Sequence, residues 1–402
     1  MSGLAFRFVH GADFHLGAPI SLRSTPPGWS SLLETLDNRL LERFTEVCCQ
    51  EAADFVLLAG DIFDSSHPSL RVQRLFVQAM ERLDQAGVDC FLIEGNHDAG
   101  VWEHFAFSLP NNVHRFGTDL TGVRIRVRQE TVAIWGVSFA EDRRETSVLN
   151  SFPPTLEDPW NTVLFHAEHG SGGRYHPYLH RDLAASPFAY HALGHEHVFR
   201  HRMKPDVVYP GTPQVRNSGE PAAAGICVVD VADQKQRISP VSIEVLRWQV
   251  EDVVIDGLDE DEIFQRCEEI LQQLREHDLP PRVVRLRLVG TSPLHAKWVG
   301  AEQQNDFLEA LREETRLNSD VWLDSLEYAG WPDVNLPSLV AREDFLGSVA
   351  RELDNLDALP AIKRLAEQFD VPVDWSAVTE DARRKLLAAF ADQIDGDDGL
   401  VD

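Results

Sequence analysis

Between Phe6 and about Val231, short apolar runs alternate with segments whose apolar residues recur at helical spacing, which predicts an α/β fold with strands buried on both faces. The runs 55–58, 91–93, 132–137 and 163–165 are the predicted strands. Leu33, Leu36, Leu40, Phe44 and Val47 share one helical face, as do Leu75, Phe76, Ala79 and Leu83, so helices separate the early strands. Later strands crowd together, pointing to a mixed sheet or two stacked sheets. Near Arg247 the pattern restarts: strands at 252–255, 282–289 and about 321–326, with helices at 259–276 and about 306–316, make a small α/β unit. Val284, Leu286 and Leu288 share one face of its second strand, and Arg285 and Arg287 the other. From Gly330 through Pro337 the chain reads as a linker. Helical segments follow at about 342–356, 361–369 and 380–393, the first with an apolar stripe of Phe345, Leu346, Val349, Leu353 and Leu356. The expected organisation is a main domain at 1–246, an α/β cap at 247–329, a linker at 330–342, a helical partner-binding region at 343–394 and a disordered acidic tail at 395–402.

A chain of 402 residues exceeds the usual size of one hydrophobic core, in keeping with several domains. No apolar run is long enough to cross a bilayer, and Met1 to His10 lacks the pattern of a secretory signal, so no membrane association and a cytoplasmic location are expected. The five cysteines, Cys48, Cys49, Cys90, Cys227 and Cys267, are odd in number and form no CxxC pair. Reduced thiols are expected, and any metal must be held by His and carboxylate ligands. The net charge of −28 speaks against a broad basic surface for nucleic acid. It leaves room for a local cationic face, bound metals or a basic partner, because net charge does not describe local potential.

The chemistry lies at the predicted strand ends, where open α/β sheets place their ligands. Phe8 and Val9 lead to Asp13 and His15; the next strands lead to Gly60, Asp61 and Asp64, and to Gly95, Asn96, His97 and Asp98. Val163 to Phe165 lead to His166, and Tyr190 to Leu193 lead to Gly194, His195 and His197. Each block alone reads as an ordinary turn or helix cap. Five in order, each after an apolar strand, read as a metal site. Alternate positions such as Asp13 and His15 can project from one side of an extended backbone onto one ion.

These ordered blocks, Asp13 with His15, GDIFD from Gly60, GNHD from Gly95, His166 and GHEH from Gly194, resemble the calcineurin-like metallophosphoesterases. With Tyr209, Pro210, Gly211 and Thr212 following, the chain is most similar to the SbcD and YhaO-like DNA repair exonucleases. The resemblance implies a mixed-sheet β-sandwich flanked by helices, and two metals: one held by Asp13, His15, Asp61 and His197, the other by Asp61, Asn96, His166 and His195. The oxygen and imidazole set favours Mn2+, with iron or zinc compatible. It further implies hydrolysis of phosphodiesters by a metal-activated hydroxide, with His97 as general acid oriented by Asp64. His169, Arg174 and Arg216 are candidate substrate contacts. DNA is the expected substrate, and an SMC-like coiled-coil ATPase the expected partner of the C-terminal helices; a homodimer is compatible with this scheme. A small-molecule or nucleotide phosphodiesterase or phosphatase is the alternative, which the acidity favours slightly, and a non-catalytic scaffold subunit is the third reading.

Overall fold

The computed structural model describes residues 5–333, apart from 142, 144, 171–172, 185, 204, 221–224, 234, 275–279 and 316–319, together with 341 and 343. It divides into two compact units, Met1–Gln249 with Asp278–Val283, and Val250–His277 with Val284–Asp402.

In chain order the first unit runs β1 (Phe6–Gly11), α1 (Ser30–Gln50), β2 (Phe55–Ala59), α2 (Leu70–Gln85), β3 (Asp89–Ile93), β4 (Val113–Arg115), β5 (Thr121–Val127), β6 (Glu130–Val137), β7 (Trp160–His166), β8 (Tyr190–Gly194), β9 (Arg200–Arg202), β10 (Asp206–Tyr209), β11 (Ile226–Ala232) and β12 (Lys235–Val241). These strands form two mixed six-stranded sheets, ordered β12-β11-β1-β2-β3-β4 and β5-β6-β7-β8-β10-β9. Strands β1 to β4 pair in parallel, as do β6, β7, β8 and β10, while β11, β12, β5 and β9 add antiparallel neighbours.

Alternation along each strand explains both the core and the unbroken apolar runs. Phe6, Phe8, Phe55, Leu57, Phe91 and Ile93 of one sheet face Val132, Ile134, Trp160, Leu164, Tyr190 and Val208 of the other. Phe8 stacks on Phe55 at 5.1 Å, while Tyr190 meets Phe8 edge-on at 5.1 Å and Trp160 meets Phe6 at 5.0 Å. Each such pair adds roughly 0.5–1.5 kcal/mol beyond its area. The opposite face of the second sheet, with Val163, Phe165, Leu193 and Val207, is covered by Val148, Tyr178, Leu183 and Phe188. Helix α1 buries Leu32, Leu36, Leu40, Phe44 and Cys48, a row at four-residue spacing, rather than the expected Leu33 and Val47.

The second unit contains β13 (Arg247–Val254), which begins within the first unit, then α3 (Glu260–Gln273), β14 (Arg282–Ser292), α4 (His295–Trp298), α5 (Ala301–Thr315) and β15 (Val321–Pro332). Its sheet has the order β13-β14-β15. Val284, Leu286 and Leu288 are fully buried against Ile263, Cys267, Trp298 and Leu311. Asp259 caps α3: its carboxylate accepts the Glu262 amide at 2.9 Å, and the Glu262 carboxylate accepts the Asp259 amide at 2.9 Å.

Strand β15 continues through Gly330, Trp331 and Pro332, so the linker expected from Gly330 does not begin there. The expected C-terminal helices, the Phe345 stripe and the acidic tail lie outside the described residues. Among the described residues no helix is long and apolar enough to cross a membrane, and all five cysteines are free thiols.

Candidate metal centre

The site is assembled by turns at the C-terminal ends of β1, β2, β3, β7 and β8. The chain leaves β1 and β2 as two zipped loops: the Asp13 amide donates to the Gly60 carbonyl at 3.1 Å, His15 to Asp61 at 3.1 Å, and Leu16 to Ile62 at 2.9 Å. The backbone here is not extended. Asp13 (φ 54°), His15 (44°), Asp61 (49°) and His195 (104°) all adopt the left-handed region, which costs non-glycine residues on the order of 1–3 kcal/mol each and concentrates at functional sites. Asp13 and His15 therefore reach the site through strained turns, not through the strand alternation expected from sequence.

Among the described residues the donor atoms converge in two buried groups and a third at the rim. One oxygen or nitrogen each from Asp13, His15 and His197 lie within 4.8 Å of one another, as do those of Asp13, Asp61 and His166, and at the rim those of His15, Asp64 and His97. Asn96 Oδ1 faces His166 Nε2 at 3.1 Å and His195 Nδ1 at 3.3 Å. Asp61 Oδ2 stands between the groups, 3.3 Å from His166 Nε2 and 4.0 Å from His15 Nε2. Every predicted metal ligand thus lies in this cluster.

Its electrostatics call for a cation. His166 Nδ1 donates to the Ala59 carbonyl at 3.0 Å, so Nε2 points a lone pair at the oxygens of Asn96 and Asp61 unless a proton or metal lies between. Burial opposes a charged His166, yet the Asp61 carboxylate, by charge and by hydrogen bond, pushes it up to about 9. Burial would lift Asp61 as well, but His166 and His15 hold it below the usual carboxylate range. Asp13 is lifted to about 7 by burial against the pull of His166, with Asp61 adding to the rise. Burial, with neighbouring imidazoles, pushes His195 down to about 3 and His197 to about 4, leaving both neutral, and the Nε2 atoms of His15 and His197 face each other at 3.2 Å. Buried carboxylates, neutral imidazoles and an amide oxygen are a donor set that fits divalent metal.

The calcineurin-like phosphoesterase family matches residues 6–199. Residues 6–199 form a calcineurin-like phosphoesterase domain. Residues 248–329 match the middle domain of metallophosphoesterase YhaO. The Bacillus subtilis metallophosphoesterase YhaO is 29% identical over 90% of this chain and 92% of its own length. The DNA double-strand break repair protein Mre11 of Thermoplasma acidophilum is 24% identical over 67% of this chain and 73% of its own. The SbcD component of the Bacillus subtilis nuclease SbcCD is 28% identical over 36% of each. The family uses a dimetal centre, and the domain is that of a metal-dependent phosphoesterase.

At the exposed edge of the phosphoesterase site, the His97 amide donates to Asp61 Oδ1 at 2.8 Å and its Nδ1 to the Asp64 carbonyl at 3.3 Å. A carbonyl can only accept, so Nδ1 carries the proton and Nε2 is the atom that exchanges one. The Asp64 carboxylate lies within 4.8 Å of a His97 ring nitrogen and makes its shorter contact with His15, Oδ1 to Nδ1 at 3.6 Å. The turn after Asp61 thus brings both the backbone carbonyl and the carboxylate of Asp64 to the rim where His97 and His15 meet.

Arg216 is not a substrate contact. It is 6% exposed, and its guanidinium donates to the carbonyls of Phe14 and Ala18 and to Asp37 Oδ1 at 2.8 Å, clamping the loop that carries His15. His169 and Arg174 are exposed on the segment after β7, but it is their neighbour Tyr175 whose ring packs 4.8 Å from His195. Three residues named in the sequence blocks turn out to brace the ligands, a role the sequence does not assign them. The Asp98 carboxylate accepts the amides of Ile62, Phe63 and Gly95, bolting the β2 and β3 loops together. The Thr212 hydroxyl donates to the Asp13 carbonyl at 3.0 Å, while its amide donates to that of His197 at 3.0 Å. The Tyr209 hydroxyl donates to the Ala167 carbonyl at 2.9 Å, beside His166. Capping aspartates are common, so Asp98 carried no distinctive signal; the Tyr209 to Thr212 run did.

Gly95 leaves no room for a side chain, since a Cβ there would fall on the Asp61 carboxylate and 2.6 Å from the Asp61 amide nitrogen. Gly95→Ala is expected to displace Asp61 and lower turnover of bis(p-nitrophenyl) phosphate by about 10²-fold, with an unchanged far-ultraviolet circular dichroism spectrum. A wild-type rate would mean that Asp61 can move without consequence.

Proposed function

We propose that this chain is a two-metal-dependent DNA nuclease, acting in DNA repair as the nuclease subunit of a complex with an SMC-like ATPase in the cytoplasm. The observation that carries the catalytic reading is the convergence of Asp13, His15, Asp61, Asn96, His166, His195 and His197 with His97 at its rim. Asp13, His15, Asp61 and His197 would hold one ion and Asp61, Asn96, His166 and His195 the other, with manganese favoured. Two bound ions would supply Lewis acidity to the phosphate and a nucleophilic oxygen from water near neutral pH.

The protein's own groups do the rest. The Ala59 carbonyl fixes the tautomer of His166, and Asp98 and Thr212 hold the ligand loops in register. His97, its Nδ1 committed to the Asp64 carbonyl, holds a proton on Nε2 for the leaving oxygen. The DNA reading is supported by relatives named as a DNA double-strand break repair protein and a nuclease component. A nucleotide or small phosphodiester is the second reading, favoured by the net charge of −28.

A hydrolysis panel with manganese separates them: linear DNA, single-stranded DNA, cyclic nucleotides and simple phosphomonoesters, each with wild type and His97→Ala. DNA cleavage that fails in the variant is expected; rapid turnover of the small esters alone would overturn the DNA assignment. Deleting residues 340–394 is expected to abolish co-purification with a co-expressed SMC-like ATPase and to leave metal-dependent hydrolysis within about twofold of wild type. Persistent co-purification would remove the C-terminal segment from that interface.

A further inference from the structure

Next to the catalytic loops, the chain after the GNHD block forms a cleft of about 450 Å³, lined by Trp102, Phe105, Phe107, Asn111, Val113 and Arg115 among others. That volume lies in the roughly 300–1,000 Å³ range of small-ligand sites. Its walls are set in advance. Buried Gln73 accepts the Ala106 amide at 2.8 Å and donates to the Pro68 carbonyl at 2.9 Å, and buried Asn112 donates to the Val88 carbonyl at 2.8 Å. The aromatic rings are tied to the site: Phe63, between Asp61 and Asp64 in sequence, packs 6.1 Å from Trp102 and 5.8 Å from Phe105, and the Val101 amide donates to the Asp98 carbonyl at 3.0 Å.

Two exposed cations lie over one face of these rings, the Arg115 guanidinium 5.2 Å from the centre of Trp102 and that of Arg74 5.9 Å from the centre of Phe107. Among the described residues a third such pair, Arg312 over Trp322 at 4.9 Å, is buried in the second unit, so the exposed pairs stand together at this cleft. Aromatic faces take any base by stacking, and adjacent cations attract the phosphates on either side of it. We propose that this cleft is a nucleobase subsite, which takes an unstacked base of single-stranded DNA while Arg74 and Arg115 supply positive charge to the flanking phosphates. The proposal deepens the nuclease reading and rests on it, by placing base recognition on the scaffold that carries His97.

The test is fluorescence anisotropy of the full chain, without added metal, with a short single strand and with copies carrying one abasic position at each site in turn. For wild type, one abasic position is expected to weaken binding about tenfold, equivalent to about 1.4 kcal/mol. Trp102→Leu and Arg115→Gln should bind the intact strand about tenfold more weakly and should no longer respond to the abasic position; Arg115→Gln keeps the test open if Trp102→Leu does not fold. Arg115→Gln, whose change is confined to the guanidinium over Trp102, should hydrolyse bis(p-nitrophenyl) phosphate as wild type does. Equal binding of intact and abasic strands by wild type, or variants that match wild type with both, would overturn the subsite. Base-dependent binding by a wild type that cleaves no DNA with manganese would instead overturn the nuclease reading and leave the subsite standing.

Discussion

Asp61→Asn is expected to lower phosphodiester turnover by more than about 10³-fold and to abolish the rise in melting temperature that manganese gives the wild-type protein. The Asp61 carboxylate serves three directions at once: Oδ1 accepts the His97 amide at 2.8 Å, and Oδ2 lies 3.3 Å from His166 Nε2 and 4.0 Å from His15 Nε2. An amide keeps the shape, removes the charge and must place an NH2 group on one side. Facing His97 it would oppose another N–H; facing His166 it would put hydrogens where the two ligand groups meet. Metal binding by calorimetry, melting temperature with and without manganese, and turnover check this together. Wild-type manganese binding and turnover would remove Asp61 from its position joining the two groups.

The metal-free variant carries a separate pH signature. His166 is raised to about 9, so its share of stability is full below its ordinary value near 6.5 and fades as the pH rises through 9. Asp61 is depressed, so its share is present above the ordinary carboxylate range and is lost on acidification. The gap in melting temperature between metal-free wild type and Asp61→Asn is therefore expected to be widest at roughly pH 5–6 and to close above about pH 9.

Much of the fold is legible in sequence because strands buried on both faces leave continuous apolar runs. The runs at 55–58, 91–93 and 163–165 sit inside β2, β3 and β7, and the 284/286/288 alternation is the inner face of β14. Short or half-exposed strands such as β9, three residues long with Arg200 and Arg202 exposed, leave no such trace. Ligand types at strand ends are equally readable, because glycine, aspartate and histidine stand out against apolar runs. What the alternation argument misjudged was the path of the chain: Asp13 and His15 are left-handed because amides and carbonyls of the β1 and β2 loops pair with each other. Long-range partnerships are invisible locally. Arg216 clamps Phe14, and Thr212 holds Asp13, across about two hundred residues that sequence spacing does not bridge.

The strong negative charge changes meaning once the site is assembled. Buried carboxylates held by backbone amides and imidazoles are poised to bind divalent ions, and their charge is offset there. The cations that matter for an anionic substrate are then few and local, as Arg74 and Arg115 are, which predicts modest salt dependence of DNA binding rather than the steep dependence of a broad basic surface.

His97→Ala is expected to lower turnover of DNA by about 10²–10⁴-fold while leaving manganese affinity unchanged. The contrast with Asp61→Asn follows from geometry. The His97 amide, which any residue retains, makes the 2.8 Å contact to Asp61, whereas its exposed imidazole meets the Asp64 carbonyl at 3.3 Å and the His15 ring edge-on at 4.8 Å. Deleting the ring therefore leaves the ligand cluster in place and removes a proton donor at its rim. A donor to the leaving oxygen matters in proportion to that oxygen's basicity. The loss should be large for DNA, whose leaving alkoxide needs a proton, and much smaller for bis(p-nitrophenyl) phosphate, whose phenolate leaves without one. Added imidazole should restore part of the DNA rate and none of the phenolate rate. An equal loss on both substrates would assign His97 to positioning phosphate rather than to proton transfer, and unchanged turnover on both would remove it from the mechanism.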